Sequence, residues 1–220
     1  MKKMKTKWDV VVSLALTFSL SAWGVEAIPD GPGWISLFDG KTLTGWKVGK
    51  NAETFRVEDG AIVANGNVAH LFYVGDVNHH MFKNFDLKMD VMTYPHANSG
   101  IYFHTQYQEE GFPKFGVECQ VNNSHSDWRR TGGLYGVSDL RETPVKDNVW
   151  YTQEIVVQGL HVTVKLNDKT VLEYAFPNEA DGKPFPLGKK LYLPEGTIAF
   201  QGHDPGSKVC FKNIRIKILD

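Results

Sequence analysis

EIVVQGLHVTVKLNDKTVLEYAF, residues 154–176, sets the fold class. Val162, Val164 and Leu166 alternate with His161, Thr163 and Lys165, the period of a half-buried strand. Gln158-Gly159 and Asn167-Asp168-Lys169 are hairpin signals, so the stretch reads as three consecutive antiparallel strands. Upstream, NFDLKMDVMTY (84–94) alternates in the same way: Phe85, Leu87, Met89 and Val91 against Asp86, Lys88 and Asp90. Downstream, KVCFKNIRIKI (208–218) is a long closing strand. WISLF (34–38), FRVEDGAIVA (55–64) and HLFYV (70–74) are shorter strands between Gly, Asn and Asp turns. Helical periodicity over three turns is absent; a short helical turn is expected only around Glu179–Asp181, stopped by Gly182. Many short strands without alternating helices predict an all-β sandwich or barrel. No fixed-period repeat and no Pro- or Ser-rich linker divides the chain, which predicts one domain from about residue 30 to Asp220.

The first residues belong to a different category. Lys2, Lys3, Lys5 and Lys7 precede the apolar run VVVSLALTFSLSAWG, which exits at Val25-Glu26-Ala27. That order predicts a secretory signal peptide over residues 1–27, hence a periplasmic or secreted protein with no membrane span after cleavage. The whole chain holds 24 basic and 25 acidic residues; without the leader's four Lys and two acids, 20 and 23 remain. A mildly acidic chain without a basic stripe does not predict nucleic-acid binding. Cys119 and Cys210 both sit in apolar strand patterns, as a pair or as two buried thiols; spacing does not decide between them.

Three segments carry an unusual second face. In FGVECQV (115–121), Phe115, Val117, Cys119 and Val121 form one set, and Gly116, Glu118, Gln120 and then Asn122 the other. In SGIYFHTQY (99–107) the non-core set is Gly100, Tyr102, His104 and Gln106. In GTIAFQGHD (196–204) it is Thr197, Ala199, Gln201 and His203. An exposed sandwich face usually carries Lys, Glu, Thr and Arg. Gly, Tyr, His, Gln and Asn instead suit a concave, shielded surface that hydrogen-bonds a polar ligand such as a sugar. The loop NNSHSDWRRTGGLYG (122–136) brings Trp128, His125, Arg129 and Arg130, and is expected to wall the cleft. The sugar-binding set predicted from these faces and this loop is Tyr102, Gln120, Asn122, Trp128, Arg130, Tyr135 and Gln201. Glu118, His104 and His203 are the predicted catalytic residues, each with a structural alternative: Glu118 as the hydrogen-bonded partner of a buried Arg or Tyr, the two histidines as satisfied structural ones. If a divalent metal ion is used, the same three are its expected ligands. Adjacent His79 and His80 point apart and make a poor metal pair, and His161 begins a plain surface strand. No phosphate loop, nucleophile elbow or H-E-x-x-H is present.

The ordered series GWISLFDGKTLTGWK, FRVEDGAIVA, NFDLKMDV, NSGIYFH, GVECQV, GGLYG and GTIAFQGHDPGSKVCFKNIRIKIL spans Trp34 to Leu219. It resembles the 3-keto-disaccharide hydrolase domain, long known as a bacterial domain of unknown function. The resemblance implies a concanavalin A-like jelly-roll β-sandwich of two antiparallel sheets, distantly similar to laminarinase- and lichenase-type β-glucanases. Those glucanases carry E-x-D-x-E on one strand; here the corresponding run is Glu118-Cys119-Gln120-Val121-Asn122, with a single carboxylate. The family pattern near residue 104 often has Arg, so His104 is a departure that leaves the carbonyl-polarising role open.

A retaining glycosidase needs two carboxyl groups about 5 Å apart, and this strand supplies one. A 3-keto-glycoside, the substrate class the resemblance implies, asks for less. The C3 ketone acidifies the C2 proton, and the enolate expels the C1 oxygen; water then adds back. One base and a group to hold the enolate oxygen suffice. Glu118 or a neutral His fits the base; His104, His203, Tyr102, an Arg or a metal ion fits the carbonyl side. Two alternatives stand beside this elimination: a non-catalytic carbohydrate-binding module, and a conventional glycoside hydrolase whose second acid is Asp127, Glu142 or Asp204.

Overall fold

The computed structural model describes residues 31–177, 185–187 and 190–220. The predicted signal peptide and the helical turn expected around Glu179–Asp181 lie outside the described residues. In chain order the strands are β1 Trp34–Ser36, β2 Trp46–Val48, β3 Phe55–Glu58, β4 Ala61–Ala64, β5 Ala69–Tyr73 and β6 Phe85–Thr93. They continue as β7 Ser99–Thr105, β8 Val117–Val121, β9 Arg130–Leu134, β10 Ser138–Leu140, β11 Tyr151–Gln158 and β12 His161–Leu166. The remainder are β13 Lys169–Ala175, β14 Phe185–Leu187, β15 Lys190–Tyr192, β16 Thr197–Gly202 and β17 Val209–Ile218. Two short 3-10 turns, Ala52–Thr54 and Val77–His80, interrupt them.

Fifteen of these strands form the two antiparallel sheets of one β-sandwich, and β14 pairs with β15 in a separate two-stranded sheet. One runs β13-β12-β11-β6-β17-β4-β3, with β1 added beside β17; the other runs β10-β9-β8-β7-β16-β5-β2. The predicted hairpins pair as expected, Ile155 opposite Val164 and Val164 opposite Leu172. Between the sheets, Phe85, Leu87, Met89 and Val91 of β6 join Ile101 and Phe103 of β7, Val117 and Cys119 of β8, and Ile198 and Phe200 of β16 in one core. Each fully buried aliphatic or aromatic side chain there contributes on the order of 1.5–3 kcal/mol. Phe200 stacks between Trp46 and Phe211, with centroids 5.0 and 4.5 Å away. Cys119 and Cys210 are buried free thiols.

The outer faces of the two sheets differ, and that difference locates the site. β6 alternates buried and half-buried residues along its whole length. Its outer face is charged: Lys88 and Lys165 both ion-pair with Glu154, at 2.9 and 2.7 Å. By contrast β7, β8 and β16 are buried at every position. Their second face is therefore covered by loops rather than bathed in water, as the lack of Lys and Arg on it predicts.

Candidate active site

Glu118 and Tyr102 sit directly opposite each other on β8 and β7. At that register their side chains share one face and meet. The Tyr102 hydroxyl donates to Glu118 Oε2 at 2.6 Å. From β16, Gln201 Nε2 donates to Glu118 Oε1 at 3.0 Å and to the Tyr102 oxygen at 3.1 Å. A buried carboxylate needs donors on its oxygens to repay lost hydration, and these two supply them. Burial first, and the Glu118 charge second, push the Tyr102 phenol well above its ordinary value, so it stays a donor. Gly100 makes the arrangement sterically feasible: a Cβ there would lie 2.5 Å from Glu118 Oε1 and 2.8 Å from its Cγ.

These residues line a cleft of about 190 Å³ together with Asn98, Gln120, Phe112, Asp127, Tyr135 and His203. That is below the roughly 300–1,000 Å³ of pockets that engulf drug-sized ligands, room for part of a ligand rather than all of it. Gln120 Nε2 donates to Asn98 Oδ1 at 2.8 Å. The other amide oxygens, Gln120 Oε1 and Gln201 Oε1, are buried and have no donor among the described residues.

His203 follows the end of β16 and is half-buried. Its Nδ1 meets Asp204 Oδ2 at 2.6 Å. Asp204 is itself fixed, accepting from Ser207 Oγ and from the Gly206 N–H, both at 2.8 Å. Burial raises the Asp204 carboxyl, but the His203, Ser207 and Gly206 hydrogen bonds outweigh it and hold the group below its ordinary value. A carboxylate on Nδ1 assigns the proton there and leaves Nε2 as the lone-pair nitrogen when the ring is neutral.

The expectations for His104 are corrected. Its φ is +50°, and the pairing slips beside it: Thr197 faces Thr105 while Ala199 faces Tyr102. β7 thus carries one extra residue, a β-bulge that redirects the side chain. His104 points into the sandwich against Phe85, Phe103 and Tyr192. Its Nε2 lies 2.9 Å from the Lys83 carbonyl and its Nδ1 3.2 Å from the Tyr192 hydroxyl. Burial lowers it to about 4. It is a structural histidine outside the cleft. The expected metal set of His104, Glu118 and His203 is therefore not assembled, and among the described residues no group of three or more His, Cys, Asp or Glu is arranged to hold a metal.

Three of the expected sugar contacts organise the loop instead. Asn122 Nδ2 donates to the carbonyls of Asp127 and Arg129, at 3.0 and 2.7 Å, and its Oδ1 accepts from the His125 N–H. Arg130 donates to Asn122 Oδ1 and to the His125 and Asp127 carbonyls. Trp128 points outward, 41% exposed, under the Arg141 and Arg129 guanidinium groups. The loop does wall the cleft, but through Asp127. Tyr102, Gln120, Tyr135, Gln201, Glu118 and His203 all lie on the lining, as the alternation and the loop reading predict. Of the proposed second acids, Asp127 reaches the cleft, Asp204 pins His203, and Glu142 is exposed outside it. Asn98 and Phe112 were missed. Asn98 continues the Gly100/Tyr102 set two residues back along the strand; Phe112 sits in a loop where no alternation applies.

Comparison with known proteins bears on the family and the fold. A 3-keto-disaccharide hydrolase of Bacteroides thetaiotaomicron is 29% identical over 257 residues, covering 96% of this chain and 88% of its own. A protein of Parabacteroides distasonis provisionally named a glycosyl hydrolase is 27% identical, with a TM-score of 0.69 over 86% of this chain and 94% of that one. A second from the same organism is 25% identical, with a TM-score of 0.65 over 84% and 99%. At 12% identity and a TM-score of 0.54, over 79% and 95%, the carbohydrate-binding module CBM66 of Bacillus subtilis shares the fold alone. The family model described as the 3-keto-alpha-glucoside-1,2-lyase-like domain matches residues 33–217, and the chain belongs to that family.

Proposed function

We propose that the protein cleaves the glycosidic bond of 3-keto-glycosides, 3-keto-disaccharides among them, by elimination followed by hydration. The observation that carries this reading is one carboxylate, Glu118, deep in the same cleft as a carboxylate-pinned imidazole, His203. Glu118 takes the C2 proton; the C2–H electrons form the enolate with the C3 ketone. Collapse of the enolate makes the C1=C2 bond and expels the C1 oxygen, which takes a proton from the His203 imidazolium. The neutral His203 then removes a proton from water as it adds at C1, and C2 is reprotonated, giving the free 3-keto-sugar. Tyr102 and Gln201 orient the base, and the Asn98 and Gln120 amides hold the sugar hydroxyls and ketone. The leader at residues 1–27 supports action outside the cytoplasm, in the periplasm or secreted, and among the described residues no helix is long and apolar enough to cross a membrane.

A second reading has one observation in its favour: Asp127 lines the cleft with Glu118, the carboxylate pair a conventional glycosidase requires. Both readings are tested by incubating the purified chain in D2O with a 3-keto-disaccharide and with its unoxidised parent, followed by NMR. Elimination gives release of the leaving sugar and deuterium at C2, from the keto substrate only. Comparable cleavage of the unoxidised disaccharide overturns it in favour of the Asp127 pair. Binding of both sugars without turnover leaves a carbohydrate-binding module.

A further inference from the structure

Polar side chains of the 122–130 loop serve the loop itself, and several of their hydrogen bonds converge on His125. Its N–H donates to Asn122 Oδ1 at 2.9 Å, and its carbonyl accepts from the Arg130 guanidinium at 3.0 Å. Those two bonds would satisfy the backbone of any residue at this place. A third holds the side chain: the Asp127 N–H donates to His125 Nδ1 at 3.0 Å, which leaves the proton of the neutral ring on Nε2. His125 is half-buried and does not line the cleft. Its ring packs instead against His203, with centroids 5.7 Å apart and planes at 63°. That contact completes the hold on His203. The Asp204 carboxylate grips it at one atom, Nδ1. The χ2 torsion of a histidine is broad, so the plane of its ring is set by what packs on it. A second ring, Phe112, lies 6.1 Å away but is 49% exposed, on the separate loop between β7 and β8.

We infer that His125 is a positioning residue for the proposed reaction: it holds the His203 imidazole in the plane from which Nε2 meets the leaving-group oxygen. This rests on the proposed role of His203 as the acid and extends that role to the loop. Asn122 and Arg130 act one step further out, by fixing the backbone from which the His125 ring projects. Glu118 is held from elsewhere, by Tyr102 of β7 and Gln201 of β16. Proton abstraction at C2 is therefore independent of His125, and protonation of the departing oxygen is not.

The test uses two 3-keto-glucosides in D2O, one with a pyranose leaving group, which must be protonated as it departs, and one with nitrophenolate, which need not be. The variant is His125→Asn, whose side-chain oxygen still accepts the Asp127 N–H while the ring is gone. Release of the pyranose falls about three- to tenfold relative to release of nitrophenolate, and deuteration at C2 continues at the wild-type rate. Both leaving groups are read on one preparation, so loss of folded protein lowers both rates and leaves their ratio unchanged. Placed in the His203→Gln background, His125→Asn changes the ratio no further, because the group it positions is already gone. A ratio unmoved by His125→Asn overturns the inference. So does a further fall in the double variant, which routes the effect through Asp127 or the loop at large; both results spare the proposed function. A wild type that cleaves neither keto substrate overturns the proposed function itself.

Discussion

Stability between pH 7.5 and 4.5 separates a structural His104 from a catalytic one. In the fold Nε2 lies against the Lys83 carbonyl and Nδ1 against the hydroxyl of Tyr192, whose phenol burial pushes up to about 12. A second proton on the ring buries a charge among Phe85, Phe103 and Tyr192, a cost that outweighs the Lys83 and Leu193 backbone carbonyls favouring it. Burial therefore lowers His104 to about 4, against 6.5 when unfolded. The sign follows: the unfolded chain binds the proton first, so stability is complete above pH 6.5 and is lost as pH falls towards 4. Each tenfold difference in proton affinity is worth about 1.4 kcal/mol. Across this gap the loss amounts to about 3 kcal/mol, most of which has gone by pH 4.5.

The perturbation is His104→Asn, which tolerates the left-handed backbone at this bulge and carries no titrating ring. The variant is less stable than the wild type at pH 7.5, because Phe103 and Tyr192 lose a packed partner. Its stability is nevertheless flatter with pH. Urea unfolding followed by tryptophan fluorescence, at pH 7.5 and 4.5, gives four free energies. The wild type loses roughly 2–3 kcal/mol more than the variant across that interval. Carboxylates protonate in both proteins and cancel in the difference. If wild type and variant fall in parallel, His104 is not held neutral by burial and its structural role is wrong.

Three further outcomes follow from the site. Glu118→Gln keeps the side chain's size and its bond to the neighbouring strand but removes the base; kcat on a 3-keto-disaccharide falls by about 10²–10⁴-fold and C2 deuteration stops, while calorimetric binding of the substrate persists. Gly100→Ala drives a methyl into Glu118 Oε1; since a misplacement of about 1 Å costs roughly 10²-fold, kcat drops with little change in melting temperature. His203→Gln still exchanges C2–H for deuterium but slows release of a sugar leaving group far more than release of a nitrophenolate, which needs no proton. Asp204→Asn moves in the same direction more weakly, and an equal effect on both leaving groups would count against His203 as the acid.

Regular pairing made much of this site legible before any coordinates. Along β8 and β16 the period of two is unbroken, so Glu118, Gln120 and Gln201 fall on the predicted face. On β7 the same rule holds as far as Tyr102 and fails at His104, because one inserted residue reverses every later assignment. Its signal lay in other strands: Gly116 and Gly196 flank the bulge, where a Cβ would run into the backbone of residues 103–105. The loop was misread for a different reason. Asn122 and Arg130 are polar because a 122–130 excursion has backbone carbonyls and amides to satisfy, and composition does not distinguish that demand from the demand of a ligand.

Gln120 gains its meaning from the neighbours the fold gives it. Where a glucanase strand carries a second acid, this one carries an amide that bonds Asn98, so Glu118 is the strand's one carboxylate. The second titrating group comes instead from the end of another strand, at a shallower level, and it is an imidazole held by its own carboxylate. The two positions make unequal demands in the proposed scheme. Removing a proton next to a ketone needs a base oriented against one C–H bond, which the buried, doubly hydrogen-bonded Glu118 provides. Protonating a sugar alkoxide and then deprotonating water needs a group that can give and take a proton and meets solvent, the position that the half-buried His203 occupies. A symmetric pair of carboxylates at one depth would serve neither demand as well; in the proposed scheme a fixed carboxylate on the floor and an imidazole at the shallower level meet the two demands separately.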